Sequence, residues 1–105
     1  MKRFFRSFTI VLAVAFACST WALADAAADY KAKCASCHGA EGKGDTAVGK
    51  SMKVQDLGSA DVQKQSDADL ATIIEKGKKP MPGYEGKLSK DQIDGLVKYI
   101  RSLKK

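Results

Sequence analysis

Within "KCASCHGAEGKGD", Lys33 to Asp45, stand two cysteines and the only histidine of the chain. Cys34 and Cys37 are separated by Ala35 and Ser36, and His38 follows directly. Three chemistries use a Cys-x-x-Cys pair: a redox dithiol, half of a zinc site, and covalent attachment of a haem. A thioredoxin-type dithiol belongs to a βαβ unit, and no alternating stretch of this chain reads as a strand. Structural zinc takes four ligands. Beyond residue 24 only Cys34, Cys37 and His38 are of the Cys and His types, and neighbours such as Cys37 and His38 strain a shared tetrahedron. Haem attachment meets every constraint. Each thiol adds across a vinyl group to form a thioether, and the imidazole beside the second thioether becomes the proximal iron ligand. Ala35 and Ser36 are small enough to lie against the porphyrin rim.

An iron held by His38 has a sixth position, for which the chain past residue 24 offers Met52 and Met81. A thioether there gives His/Met coordination, which raises the reduction potential. Met81 sits in "GKKPMPGYEGKLS", stiffened by Pro80 and Pro82, whose rings fix φ near about −65°. Met52, in "GKSMKV", reads as part of an unbraced loop close to His38 and as packing filler. Met81 is the expected ligand.

These residues need a scaffold, and the composition shows how little there is. Residues 1–24 read as an export signal: Lys2, Arg3 and Arg6 form a basic start, "FTIVLAVAFA" an apolar core, and "ALA", Ala22 to Ala24, a small-x-small cleavage site before Asp25. Thr9, Ser19 and Thr20 dilute the apolar run, which falls short of the ~20 residues of a spanning helix. Cys18 follows "AFA" without the branched aliphatic residue that precedes a lipid-modified cysteine. The expected domains are therefore a cleaved signal peptide, 1–24, and one folded domain, 25–105. The leader takes with it all four phenylalanines, the only tryptophan and three of the 18 basic residues. The remaining net charge of +3 is too small to argue for nucleic acid. Tyr30, Tyr84 and Tyr99 are the only aromatics left, beside 15 residues of Val, Leu, Ile and Met. So thin a core calls for a non-peptidic filler.

Three helices are expected. The first runs from about Ala26 to Cys34, with Ala27, Tyr30 and Cys34 on one face. A long loop, Gly39 to Gln65, with room for a short helical turn, separates it from the second, which Ser66 caps and Gly77 ends, with Leu70, Ile73 and Ile74 as its apolar stripe. The third starts at the capping box "SKDQ", Ser89 to Gln92, and carries Ile93, Leu96, Val97, Ile100 and Leu103 at helical spacing. Gly95 lies off that stripe, at a cost of about 1 kcal/mol relative to alanine, and the sequence offers no reason for it.

Cys34-Ala35-Ser36-Cys37-His38, "MPGYEGKLS" 43 residues beyond the histidine, and "LVKYIRSL" near the end together resemble a small bacterial class I cytochrome c. The resemblance implies an all-α fold of three main helices around one covalently bound haem c. It implies thioethers at Cys34 and Cys37, iron ligation by His38 and Met81, and a crossing of the first and last helices at which Tyr30 and Tyr99 meet near the haem, with Leu96 and Ile100 beside them. Two departures stand out. Relatives often place glycine at the crossing where this chain has Ala26, which implies wider spacing, and a proline carbonyl in the loop after the histidine to orient its Nδ1. Residues 39–65 contain no proline, so another carbonyl of that loop is expected to do so.

The function implied is that of an exported, periplasmic, monomeric one-electron carrier with no catalytic residues. Lys33, Lys78 and Lys79 would rim the haem edge and steer acidic redox partners. One rival is a haem enzyme or gas binder with a labile sixth ligand, against which stands the lack of a distal acid/base pair, since His38 is the sole histidine and Arg101 the sole arginine past residue 24. The other is a membrane-tethered cytochrome module of an oxidase or dehydrogenase, in which residues 1–24 persist.

Overall fold

The computed structural model describes residues 25–105; the expected leader, its cleavage site and any tether lie outside the described residues. These residues contain six helices and no strand. Helix α1 covers 25–33 and α2 Ala35–His38; α3 is Ala47–Met52, α4 Ala60–Gln63, α5 Asp67–Lys76 and α6 Lys90–Ser102. The expected helices correspond to α1, α5 and α6.

Local chemistry sets most of the boundaries. The Ser66 hydroxyl accepts from the Asp69 N–H at 3.0 Å, capping α5, and Gly77 ends that helix at φ 80°. At α6 both halves of the capping box form: Gln92 N–H donates to the Ser89 hydroxyl at 3.1 Å, and Ser89 N–H to the Gln92 side-chain oxygen at 2.8 Å. Across Cys34 the helical path is kept, because Cys34 N–H donates to the Tyr30 carbonyl at 2.8 Å and His38 N–H to the Cys34 carbonyl at 2.9 Å. The cysteine motif thus extends α1.

The loop between His38 and Gln65, expected to have room for one short helical turn, is more regular than that. It holds two short helices, each begun by a hydroxyl cap, Thr46 for α3 and Ser59 for α4. Met52 is therefore the last residue of a helix.

The core gathers on the apolar stripe of α6, where Ile93, Leu96, Val97 and Ile100 are all buried and Leu96 is 1% exposed. Leu70 and Ile74 of α5 meet it, with Tyr30 from α1. The rings of Tyr30 and Tyr99 lie 4.7 Å apart at an interplanar angle of 33°, within the range of favourable aromatic pairs. A Cβ placed on Gly95 would stand 3.4 Å from the Ala26 Cβ. Gly95 of α6 thus faces Ala26 of α1 where the two helices meet.

Arg101 joins α6 to its neighbours. Its Nε donates to Asp67 at 2.9 Å, one terminal nitrogen donates to the Gln63 carbonyl at 2.8 Å and the other to the Gln65 carbonyl at 2.5 Å. The only arginine of the domain is thereby committed to holding α4, α5 and α6 together.

Candidate haem site

A cavity of about 380 Å³ opens among these helices, and Tyr30, Cys34, His38, Met52 and Met81 all line it. Its aliphatic wall comes from α5 and α6, through Leu70, Ile73, Ile74, Leu96 and Ile100. Ile73 is only half-buried because its side of the expected stripe faces this space. Lys53, Lys78 and Lys79 also line the cavity, and no Asp or Glu does.

Each reactive side chain is placed by backbone bonding. Gly39, at φ 85°, ends the helical path after His38, and the Tyr30 hydroxyl donates to the Gly39 carbonyl at 2.6 Å. Helix α3 fastens the same segment from the other direction. The Thr46 hydroxyl donates to the Cys37 carbonyl at 3.1 Å while accepting from Gly49 N–H at 2.9 Å. A Cβ on Gly49 would collide with the Cys37 carbonyl oxygen, so α3 approaches the motif backbone to backbone.

The His38 Nδ1 is buried and has no hydrogen-bond partner, so the carbonyl expected to orient it is not found in the 39–65 loop. Burial holds the imidazole pKa below its usual value, which favours the neutral ring, the form that binds metals. Burial likewise pushes the Cys34 thiol up to about 11, with the charge of Asp29 adding to the effect. A neutral imidazole, a half-buried thiol and a thioether around an apolar space form a donor set and a volume suited to an iron porphyrin.

Met81 is held in a tight turn by two bonds with Lys78: Met81 N–H donates to the Lys78 carbonyl at 2.7 Å and Lys78 N–H to that of Met81 at 3.1 Å. The turn packs on the end of α5. A Cβ on Gly83 would come within 2.7 Å of the Glu75 and Lys76 carbonyl oxygens, closer than real side chains approach. The bracing expected of this loop thus comes from backbone pairing and from Gly83 as well as from its prolines.

Cys34, His38 and Met81 line one cavity. Cys37 does not line the cavity; its side chain lies beside the Ser36 hydroxyl, 4.0 Å away. Tyr99 does not line it either; its ring packs against that of Tyr30. Met52, expected to be filler, does reach the cavity. Sequence reasoning missed Thr46, whose only local signal is a hydroxyl before a helical turn, and Tyr84, whose hydroxyl donates to the Lys33 carbonyl at 2.9 Å across 51 residues of chain.

Residues 22–100 match the family model described as cytochrome c oxidase, cbb3-type, subunit III. The chain belongs to this family of c-type cytochromes. It is 34% identical to cytochrome c6 of Microcystis aeruginosa over 72% of this chain and 90% of that protein. Cytochrome c6 of Leptolyngbya boryana is 38% identical over 73% and 91% of the two chains, and that of a Nostoc species 33% identical over 95% and 92%. A solved structure, the KustC0563 c-type cytochrome, superposes with a TM-score of 0.70 at 28% identity, over 75% of this chain and 96% of that one. The protein is thus a small, all-α class I c-type cytochrome, an electron-transfer protein of a family that carries covalently bound haem c.

Proposed function

We propose that this cytochrome is an exported one-electron carrier, freed of residues 1–24 in the periplasm, in which Cys34 and Cys37 form the haem thioethers and His38 and Met81 ligate the iron. The observation that carries the reading is the shared cavity of His38 and Met81, each fixed by its own backbone bonds. When bound, haem c supplies an iron that gains and loses a single electron. The polypeptide keeps both ligands in place in either state, so little reorganisation accompanies the transfer.

Helix α3, which carries Met52, is fastened to the Cys37 carbonyl and so belongs to the wall built on the His38 segment. Met81 comes from a separate segment, as a ligand facing His38 requires. Arg101, the one arginine that could have assisted peroxide chemistry, is spent on the carbonyls of Gln63 and Gln65 and does not line the cavity. That commitment disfavours the haem-enzyme reading.

The deciding experiment is a redox titration of the purified holoprotein with spectra recorded under carbon monoxide. A reversible one-electron transition, low-spin in both states and unaltered by the gas, is expected. Rapid gas binding by the wild type would refute the carrier.

A second reading, a tethered module of a larger oxidase, draws on the description of the matching family. No helix among the described residues is long and apolar enough to cross a membrane, and this reading places the tether in residues 1–24. Mass spectrometry of the native protein separates the two readings.

The lysines beside the cavity fit a partner with an acidic docking face. Lys33 adjoins Cys34 and Lys78 and Lys79 line the mouth, none of them in an ion pair among the described residues. Changing Lys78→Glu and Lys79→Glu together is expected to slow electron transfer to such a partner about tenfold at low salt and to flatten the salt dependence. Stopped-flow measurement over a series of ionic strengths checks this. Parallel salt curves for the two proteins would remove the rim from the docking account.

A further inference from the structure

The Met81 segment is attached to the rest of the domain at two places of different kinds. On one side it is bonded to the end of α5: Tyr84 N–H donates to the Ile74 carbonyl and Glu85 N–H to the Glu75 carbonyl, both at 3.0 Å. Lys76 also pairs there with Glu85 at 2.9 Å. On the other side stands a single bond, from the Tyr84 hydroxyl to the Lys33 carbonyl at 2.9 Å. Among the described residues it is the only hydrogen bond recorded between the segment 78–88 and the helix that leads into the cysteine motif. Lys33 directly precedes Cys34, and Tyr84 follows Met81 by three residues.

We propose that Tyr84 is a positioning residue for the sulfur of Met81: its phenol latches the methionine loop to the cysteine-bearing helix, and so sets how often the iron's sixth position opens. The inference rests on the reading of Met81 as an iron ligand. Opening that position means moving the Met81 segment away from the segment that carries Cys34 and His38. The bonds to α5 do not span that gap, so they can persist while it widens. The phenol bond does span it and must break. The ring of Tyr84 also packs against the core cluster, so the two contributions, packing and latch, can be separated by removing the oxygen alone.

Tyr84→Phe keeps the ring and deletes the donor. Since one such bond contributes modestly, the expected result is cyanide binding to the ferric holoprotein about fivefold faster than in the wild type, with a weakened sulfur-to-iron charge-transfer absorption. Lys76→Ala, which removes the pair with Glu85 on the α5 side, should change neither. A merely structural tyrosine would lower the melting temperature and leave the absorption band intact. Met81→Ala is measured alongside. If it opens the iron while Tyr84→Phe binds cyanide at the wild-type rate, the latch is refuted and the ligand reading stands. Should Met81→Ala itself leave cyanide binding unchanged, the ligand reading fails and the latch falls with it.

Discussion

A chain carrying Cys34→Ser and Cys37→Ser is expected to lose its covalent haem and most of its helix. The aliphatic wall of the cavity, Leu70, Ile73, Ile74, Leu96 and Ile100, belongs to the two longest described helices, so the space is the centre of the domain. Leaving a cavity of about 380 Å³ there unfilled would deprive these side chains of much of their packing, at a cost on the order of several kcal/mol. That is comparable to the entire stability of a small domain, about 5–15 kcal/mol. Collapse of the wall would lessen the cost but would pull α5 and α6 out of register with Tyr30 of α1. Far-ultraviolet circular dichroism and the hydrodynamic radius of the variant test this. A compact variant with native helix content would show that the polypeptide holds its own core, and that the haem merely occupies it.

The second large effect is expected at Met81. In Met81→Ala the iron should lose a soft sulfur ligand that favours the ferrous state. The reduction potential should fall by on the order of 100 mV, well inside the ~0.8 V that axial ligands span. Carbon monoxide and cyanide should then bind readily. Met52→Ala is the necessary control, because Met52 reaches the same cavity. It should weaken packing at the end of α3 and leave both the potential and the ligand affinity near those of the wild type. A potential that drops in Met52→Ala and holds in Met81→Ala would exchange the roles of the two methionines.

How much of this was legible in the sequence depended on the range of the interaction. The capping box at Ser89 and Gln92, the cap at Ser66 and the stop at Gly77 are contacts within one helical turn, and all were readable. The apolar stripe of α6 was readable too, since 13 residues give its period room to repeat. Helices α3 and α4, of six and four residues, are too short to show a period, so the sequence supports only a loop with room for a short helical turn, and Met52 reads as unbraced. Gly95 and Ala26 illustrate a third case. Each was noticed alone, but what relates them is a crossing of two helices far apart in the chain, which neither local sequence encodes. The Tyr84 bond to Lys33 is of the same kind, and so are the bonds of Arg101 to Gln63 and Gln65.

The crossing of α1 and α6 bears on the order in which the protein can be assembled. Ala26 and Gly95, Tyr30 and Tyr99 stand near opposite ends of the described sequence, so their contacts close long loops, the kind that form slowly. A chain made from its N-terminus onward presents Cys34, Cys37 and His38 well before the residues of α6 exist. Leu96 and Ile100 line the pocket from α6, so its wall is incomplete until the last helix is in place. The last helix therefore completes the wall of the pocket, and a chain cut short before Leu96 is expected to lack the side that Leu96 and Ile100 supply.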